Sequence, residues 1–540
     1  MMEPLILTFD LGTQSMRGML VDKSGNIVSM VQHKYVQPYF SRKPGWAEQK
    51  PEFYYKTLCE IGKELKEKNE NGYDDVIAVT LTTIRDSCIC LDKNYNPLTD
   101  VILWLDSRET RTIKPFKWWV KIALKIVRMD VALKRQYQVT KANWIIENEP
   151  DIWSRTKKFV MLPTYLNYLL TGELKDCPAN MIGHIPFDYR NGTWQSKNNL
   201  KRCMCDIPEE MMCDLVCTED VIGYITKESS ELSGIPEGLP LISTGSDKGC
   251  ETLGLSVIHE NQAALSFGTT ATIQFATRKY FEPEKFLPAY PGVPKGIFNP
   301  EIQIYRGYWL ISWFKREFAA KECVEADMKG CSAEELLNER LREIEPGCDG
   351  LILQPFWTPG VIKPNAKGAV IGFSDVHTRI HLYRAIIEGI GFALMDGMYS
   401  MERRSSQKIS ELYVAGGGSK SDEICQITAD MFGLPVKRIQ THEACGLGAS
   451  IAGFVAMREF KNYEEAMESM VHVKDIFEPK VEVHKQYEAI YKQIYRKIYS
   501  HLLPLYKKIK ILSKHDDNFK EKKNTNQNIK IIRTEQTVQK

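Results

Sequence analysis

Apolar and polar positions near the start of the chain predict the first part of a sheet. The run Pro4 to Asp10 is apolar enough for a buried strand, and a second such run spans Asn26 to Gln32. Polar residues and a glycine stand directly before the second run. They predict a β-hairpin whose turn lies at Lys23 to Asn26.

Strands alternate with helices in the rest of this half. Glu52 to Lys68 carries apolar residues at helical spacing, whereas Val76 to Thr82 and Ile89 to Leu91 are short apolar runs typical of strands. Alternation of this kind favours the α/β class.

A second α/β pattern begins after Thr244. Glycines follow one of its strands directly, so a strand leading into a glycine turn occurs in both halves. The predicted strands are Gln262 to Phe267, Gly350 to Gln354 and Glu411 to Ala415, and the predicted helices are His381 to Arg403, Ser421 to Met431 and Tyr487 to Ile511.

Length and charge narrow the function classes. A chain of 540 residues exceeds the roughly 250–300 at which one core stops growing, so two domains with a ligand cleft are expected. The net charge of +2 provides no field for nucleic acid or an anionic membrane. The sequence lacks a signal segment and any apolar run of about 18 residues, so we expect no membrane span and a cytoplasmic protein.

The chain has 14 cysteines, which we expect to be reduced thiols. Four of them, Cys203, Cys205, Cys213 and Cys217, are close together in the sequence. Their spacing is not the paired pattern of a zinc site, and their apolar neighbours favour core packing over metal binding.

The first motif whose residues could bind a ligand lies at the end of the first predicted strand. Gly12 permits a tight turn with exposed backbone N–H groups, Thr13 and Ser15 flank Gln14 with hydroxyl donors, and Asp10 is suited to hold Mg²⁺ through water. These are the parts of a triphosphate-binding hairpin. A plain β-turn is the alternative.

Two further glycine segments follow strands in the second half. The first of them, with hydroxyl side chains, would face the hairpin across a cleft and bind β- and γ-phosphates, while the second would let the backbone approach adenosine. Their candidate residues are Gly268, Thr269 and Thr270 in the first segment and Gly416, Gly417 and Gly418 in the second.

Taken in order, these motifs resemble the FGGY carbohydrate kinases, which include glycerol, xylulose and gluconate kinases, from about Leu5 to about Phe460. The family shares a broad ATPase superfold with hexokinase, actin and the 70-kDa chaperones. Phe373 departs from the family pattern, where a smaller aliphatic residue is usual. The segments that carry the resemblance are Pro44 to Glu48, Ile102 to Arg108, Leu169 to Glu173, Gly368 to Phe373 and His381 to Glu388.

The resemblance implies two actin-like (ribonuclease H-like) ATPase domains of the α/β class with an interdomain cleft. Residues 1–247 would hold the phosphate loop and the sugar site, and residues 248–458 the ATP site. A helical extension at 459–513 and a flexible polar tail at 514–540 would follow.

The resemblance also places the catalytic base at Asp247, within Thr244 to Gly249. Phosphoryl transfer to an alcohol needs a carboxylate within hydrogen-bond reach of the hydroxyl, because its proton must leave as the O–P bond forms. The alternative is a loop aspartate that caps a helix starting near Gly249.

Arg85 and Asp86 occupy the place of substrate contacts in the glycerol kinases and would bind hydroxyls as donor and acceptor. Ile84 and Asp86 differ from the glycerol kinase residues, which makes glycerol a doubtful substrate. Trp104 and Trp46 are candidates for apolar walls, although a buried tryptophan more often belongs to the core.

Lys114 to Lys134 has apolar residues at helical spacing among lysines. It is compatible with a membrane surface or a partner subunit, but a helix packed beside the first domain is favoured.

We therefore expect an ATP- and Mg²⁺-dependent kinase for a small sugar, polyol or sugar acid. The alternatives are an ATPase of the same superfold that does not phosphorylate sugars, and a sensor without activity. The sequence leaves a homo-oligomer open.

Overall fold

The computed structural model of the chain describes residues 3–69, 73–113, 118, 130–196, 199, 202, 204–205, 207–284, 287–360 and 363–512. Most of the predicted basic helix at 114–134, residue Cys203 and the whole predicted tail at 514–540 lie outside these ranges. Within them, every helix is too short or too polar to cross a bilayer.

The N-terminal half alternates strands and helices. Its strands are β1 (Leu5–Leu11), β2 (Ser15–Val21), β3 (Ile27–Lys34), β4 (Glu48–Gln49), β5 (Val76–Thr83), β6 (Cys88–Leu91), β7 (Val101–Ile102), β8 (Lys158–Met161), β9 (Lys175–Asp176), β10 (Phe187–Asp188), β11 (Thr193–Trp194), β12 (Asp214–Leu215), β13 (Val221–Tyr224) and β14 (Pro240–Ile242). Its helices are α1 (Pro51–Lys68), α2 (Asp130–Val139), α3 (Lys141–Asn148), α4 (Pro150–Arg155), α5 (Leu162–Thr171), α6 (Lys227–Ser233) and α7 (Asp247–Gly254).

The C-terminal half follows the same pattern and ends in helices. Its strands are β15 (Gln262–Phe267), β16 (Ala271–Phe275), β17 (Tyr290–Pro291), β18 (Phe298–Asn299), β19 (Glu301–Ile304), β20 (Ile352–Gln354), β21 (Ala369–Ile371), β22 (Glu411–Ala415), β23 (Val436–Ile439) and β24 (Val473–Phe477). Its helices are α8 (Trp309–Phe318), α9 (Ala320–Lys329), α10 (Ala333–Glu339), α11 (Arg379–Ser405), α12 (Asp422–Phe432), α13 (Ala444–Ala456), α14 (Tyr463–Met470), α15 (Val481–Ile490), a π-helical turn (Tyr491–Tyr495) and a last helix at 496–512.

Two six-stranded sheets with the same pattern of parallel and antiparallel neighbours form the centre of the molecule. The first has the order β3-β2-β1-β5-β14-β13 and the second the order β19-β16-β15-β22-β23-β24. In each sheet the central strand is antiparallel to the next strand along the chain and parallel to a strand that comes later. The repeated mixed sheets confirm the predicted α/β class.

One helix of the C-terminal half packs on the N-terminal sheet. Thr8 of β1 shares short hydrogen bonds with Thr80 of β5 at 2.6 Å and with Ser450 of α13 at 2.7 Å. All three hydroxyls are buried, so they satisfy each other inside the core. Strand β1 is consequently buried along its whole length and lacks an alternating polar face.

Helices α7 and α13 cross very closely between the two sheets. A Cβ atom at Gly448 would meet the carbonyl oxygen of Cys250, and one at Gly254 would meet the carbonyl oxygen of Ala444. Only glycine therefore allows these backbones to touch. This crossing joins the two halves of the chain.

The C-terminal helices belong to the core of the second half. The Tyr487 hydroxyl of α15 donates to Glu388 at 2.7 Å, and Arg384 donates to the same carboxylate at 2.8 Å. Both Arg384 and Glu388 lie on α11. The extension is thus tied to the longest helix by a buried ion pair and a hydroxyl.

Most of the predicted elements are present within a few residues of their expected ends. The first hairpin is the exception. Its turn lies between Asp22 and Asn26 as expected, but the partner of β3 is β2 and not the first strand. Arg17 and Gly18 interrupt the apolar pattern of β2, so this strand cannot be recognised in the sequence. Gly18 is needed because a side chain there would collide with Ile61 of α1.

Candidate active site

A cavity of about 700 Å³ lies between the two halves. Both halves and the helix between them contribute to its walls. Of the predicted site residues, the walls include Thr13, Arg85, Asp86, Trp104, Asp247, Gly268, Thr269 and Thr270. The cavity thus gathers the predicted base, the acceptor contacts and parts of both phosphate loops.

Asp247 is the first residue of α7, and its side chain is 25% exposed. The helix cap is Ser246, whose side chain accepts a hydrogen bond from the Gly249 N–H. The alternative role of Asp247 as the helix cap is therefore wrong, and α7 begins at Asp247 instead of near Gly249. Burial raises the pKa of the Asp247 carboxyl above its usual value, although Arg85 and Lys248 oppose this shift.

Arg85 follows β5 and reaches across the cleft. Its two terminal nitrogens each donate to a Glu301 oxygen at 2.9 Å, and its Nε lies 3.7 Å from the Asp247 carboxylate. Burial lowers the pKa of Arg85, but Glu301 more than offsets this and the pKa is raised. Glu301 was not among the predicted site residues, because its only signal in the sequence is a charged residue at the start of an otherwise apolar strand.

Asp86 has a left-handed backbone conformation with a φ of 48°. Its carboxylate contacts Lys141 Nζ at 2.9 Å and His184 Nδ1 at 2.9 Å. Burial raises the pKa of Asp86, but Lys141 and then His184 outweigh it and hold the pKa well below the usual range. An ionised acceptor therefore faces the cavity. No sequence pattern pointed to Lys141 or His184.

Trp104 connects the acceptor side of the cavity to the first phosphate loop. Its indole N–H donates to the Thr13 hydroxyl at 3.0 Å. Trp46, the other candidate wall, packs edge-on against Trp144 with ring centroids 5.0 Å apart and lies under Arg108. Trp46 is thus half-buried against the N-terminal core and is not one of the residues that line the cavity.

The first loop forms a tight hairpin turn. The Gly12 N–H donates to the Ser15 carbonyl at 3.0 Å, and the Gln14 carbonyl accepts from Tyr35. Asp10 stands at the base of this turn and is 6% exposed. Burial raises the pKa of Asp10 to about 7, Arg17 opposes the shift, and Glu443, Asp247 and Glu251 add to it.

These surroundings of Asp10 fit a divalent cation. A buried carboxylate among other carboxylates is stabilised in its ionised form by a bound metal ion. In the described part of the chain, no group of three or more histidine, cysteine, aspartate or glutamate side chains could hold a metal by itself. Asp10 would therefore share Mg²⁺ with phosphate oxygens and water, which is how proteins commonly bind this ion.

The two glycine segments of the C-terminal half lie against each other. A Cβ atom at Gly416 would stand 2.8 Å from the Phe267 carbonyl carbon and 3.0 Å from the Gly268 nitrogen. Gly416 also has a φ of 84° and a ψ of 175°, a conformation essentially restricted to glycine. Gly417 has open space beside it, which leaves room for a ligand.

Lys248 lies between the base and the second loop. Its ammonium donates to Glu251 and to Ser266, both at 2.6 Å. Burial lowers the pKa of Lys248, but Glu251 and Asp247 reverse the shift and raise it, so the side chain carries a positive charge. It supplies a cation near the place where the phosphates would lie.

Several residues of the family-like segments are structural. Arg108 donates to Asp106 at 2.8 Å and to Glu48 at 2.8 Å, and all three side chains are nearly fully buried.

Among the clustered cysteines, Cys205 and Cys213 are buried and Cys217 is exposed.

Models of a known protein family match both halves of the chain. The model of the N-terminal domain of the FGGY family of carbohydrate kinases matches residues 5–254, and the model of the C-terminal domain matches residues 263–457.

Full-length relatives have related names. The "uncharacterized sugar kinase YgcE" of Escherichia coli is 28% identical over 509 residues, covering 94% of this chain and 96% of that protein. A xylulose kinase of Lactococcus lactis is 27% identical over 500 residues, 92% of this chain and 96% of the relative. The crystal structure of gluconate kinase from Lactobacillus acidophilus superposes with a TM-score of 0.80 at 22% identity, over 94% of this chain and 100% of that one. This superposition confirms the two-domain actin-like fold.

Proposed function

Since the chain belongs to the FGGY family of carbohydrate kinases, we propose that it uses ATP to phosphorylate a hydroxyl group of a small sugar, polyol or sugar acid, with Asp247 as the general base. Kinase activity on a carbohydrate follows from family membership. The roles of individual residues and the choice of acceptor are our proposal. The position of Asp247 at the cavity wall between both phosphate loops is the observation that carries it.

The acceptor lies against the N-terminal half. Asp86 is an ionised hydrogen-bond acceptor, Arg85 is a donor, and Trp104 provides an apolar wall. The relatives reported above are named for xylulose and gluconate, which are polyhydroxy compounds with five and six carbons. We therefore place ketopentoses and sugar acids first among the candidates and glycerol last.

The phosphates of ATP lie between the two loops. Thr13 of the first loop lines the same cavity as Gly268 to Thr270 of the second, and Lys248 adds a positive charge. Adenosine lies along the turn at Gly416 to Gly418. Mg²⁺ held by Asp10 would neutralise charge on the phosphate oxygens.

The reaction is a transfer of the terminal phosphoryl group. The acceptor hydroxyl gives its proton to the Asp247 carboxylate as its oxygen forms a bond to the γ-phosphorus, and the bond from that phosphorus to the bridging oxygen breaks to release ADP. The raised pKa of Asp247 suits proton acceptance. Closure of the cleft around the substrates excludes water and limits hydrolysis of ATP.

Asp247→Asn tests the proposed base. It should retain ATP binding and lose about 10²–10⁴-fold in kcat, because the hydroxyl proton has no acceptor. The exposed Asp214 provides a matched control, and Asp214→Asn should keep full activity. Substantial turnover by Asp247→Asn with the true acceptor would remove Asp247 from this role.

The acceptor itself can be identified by ADP release from the purified protein with xylulose, other ketoses, gluconate, other sugar acids, polyols and glycerol. Strong stimulation by one ketose or sugar acid is expected. ATP turnover that none of these compounds stimulates would instead favour the ATPase alternative. We also propose that the enzyme acts in the cytoplasm, and gel filtration with light scattering will establish whether it forms a homo-oligomer.

A further inference from the structure

Two cations adjoin Asp247, and each is bound by a different carboxylate. Lys248 is held by Glu251 at 2.6 Å, and Arg85 is held by Glu301 through two hydrogen bonds of 2.9 Å. The nearest distance from Arg85 to Asp247 is 3.7 Å, longer than either of those bonds. The base therefore lies beside positive charge without a direct bidentate partner.

Glu301 is fixed from several directions. It begins β19, its side chain is 2% exposed, and it accepts a hydrogen bond from Gln274 at 2.8 Å and another from Gln303. Gln274 in turn accepts a hydrogen bond from Thr252 of α7, the helix that starts with Asp247. The carboxylate that binds Arg85 is thus anchored, through one glutamine, to the helix of the base.

Other charged or titratable groups around Asp247 do not replace Glu301. Lys248 and Glu251 lie on α7, Asp10 comes from the end of β1, and the Cys445 thiol comes from the start of α13. The cations that act on Asp247 are Lys248 of α7 and Arg85, which follows β5. Without Glu301, the nearest carboxylate to the Arg85 guanidinium would be Asp247.

We propose that Glu301 is a positioning residue that binds the guanidinium of Arg85 and so prevents it from closing a direct ion pair with Asp247. An arginine that chelates a carboxylate occupies both of its oxygens and leaves them unavailable to the acceptor hydroxyl. Glu301 also keeps the Arg85 donors aligned along the cavity wall. This inference rests on the proposed role of Asp247 as the base.

A double-mutant cycle between Glu301 and Arg85 tests the inference. Glu301→Gln keeps the shape and the acceptor oxygen but removes the charge that binds Arg85. A direct Arg–carboxylate pair lowers the pKa of the carboxylate by about 1–3 units, so we expect kcat at saturating substrates to fall about 10–100-fold. In the Arg85→Gln background the same change should alter kcat by less than about twofold, because no guanidinium is left to move.

The result that overturns the inference is an equal loss in both backgrounds, which would mean that Glu301 acts only through packing on Gln274 and Gln303. An unchanged kcat in Glu301→Gln would overturn it as well. The matched control is Glu343→Gln, which breaks an exposed two-bond pair with Arg340 outside the cavity and should leave kcat unchanged.

Folding is monitored by thermal unfolding of each variant. Should Glu301→Gln fail to fold, Glu301→Asp withdraws the carboxylate by one methylene group and must still lose kcat only when Arg85 is present. Failure of the proposed role of Glu301 can be distinguished from failure of the proposed role of Asp247 as the base. If Asp247→Asn retains activity, the proposed base is wrong, whereas an inactive Asp247→Asn with an additive cycle removes only the role of Glu301.

Discussion

The two phosphate loops share a backbone plan but differ in charge. Each joins the central strand of a six-stranded sheet to an antiparallel neighbour, and each has glycine two residues after a polar position. That position is Asp10 in the first half and Ser266 in the second half. On the neighbouring antiparallel strand, Arg17 stands opposite Asp10 and Thr272 stands opposite Ser266. The duplicated scaffold thus supplies backbone donors twice and a carboxylate once.

The strands next to the loops diverge in the same way. Strands β5 and β22 occupy corresponding places, each parallel to the central strand of its sheet. After β5 the chain continues into Arg85 and Asp86, and after β22 it continues into Gly416 to Gly418. In the proposed function, one topological position would therefore serve the acceptor in one half and the nucleotide in the other. The sheet is repeated, whereas the segments that leave it differ in both side chains and backbone conformation.

The largest difference between the halves should appear at the paired positions of the loops. Asp10→Asn should lower kcat by about 10²–10³-fold, because it removes the charge that would hold the metal near the phosphates. Ser266→Ala should lower kcat by less than about tenfold, since it removes only the hydrogen bonds that the hydroxyl accepts from Lys248 and donates to Glu251 and leaves both charges in place. Steady-state kinetics at saturating ATP and acceptor measure both effects, and losses of similar size would contradict the division of roles.

A smaller effect is expected at Asp86, the proposed acceptor contact that follows β5. Asp86→Asn should raise KM for the carbohydrate about 10–100-fold, because it loses a charged hydrogen-bond acceptor held by Lys141 and His184. KM for ATP should stay within about twofold of the wild-type value. A parallel rise in both constants would show that Asp86 supports the whole site and not the acceptor alone.

A substitution in the glycine turn after β22 should instead raise KM for ATP and not KM for the carbohydrate. Gly416→Ala should raise KM for ATP about tenfold with little change for the carbohydrate, because the new Cβ would press on the Phe267–Gly268 backbone. Gly172→Ala is the control, since Gly172 also has a positive φ, of 77°, but nothing within 4 Å of a Cβ. It should cost about 1 kcal/mol of stability and leave both KM values unchanged.

The parts of this comparison that the sequence predicts are local. Strand, glycine and hydroxyl residues follow one another in both loops, so their turns can be recognised from a few consecutive positions. Asp247 also lies in a short recognisable segment. Of the main sheet strands, β1, β3, β5, β15 and β22 were predicted from apolar runs, whereas β2 was missed because Arg17 and Gly18 interrupt it. Strands β13, β14, β16, β19, β23 and β24 were not predicted either.

The partners of the site residues could not be predicted. Arg85 and Glu301 are 216 residues apart, and Asp86 and His184 are 98 apart. Lys141 begins α3 and looks like a solvated lysine in the sequence, yet it is 4% exposed. Such contacts depend on how the two halves and the segments between their strands pack, which no local pattern encodes.

A last difference between the loops concerns stability and not catalysis: Asp10→Asn should show a pH-dependent gain of stability. The folded protein holds the pKa of Asp10 at about 7, above the value of about 4 expected for the unfolded chain. The folded state therefore binds more protons between these values, and the stability that Asp10 contributes below pH 4 is lost as the pH rises through 7. Asparagine cannot ionise, so the variant should gain at most about 4 kcal/mol over the wild type at pH 8 and far less at pH 5. Thermal unfolding at both pH values measures the difference, with Ser266→Ala as the control that should show none. A difference in Tm that is the same at both pH values would mean that burial of a charge at Asp10 does not distinguish the two loops.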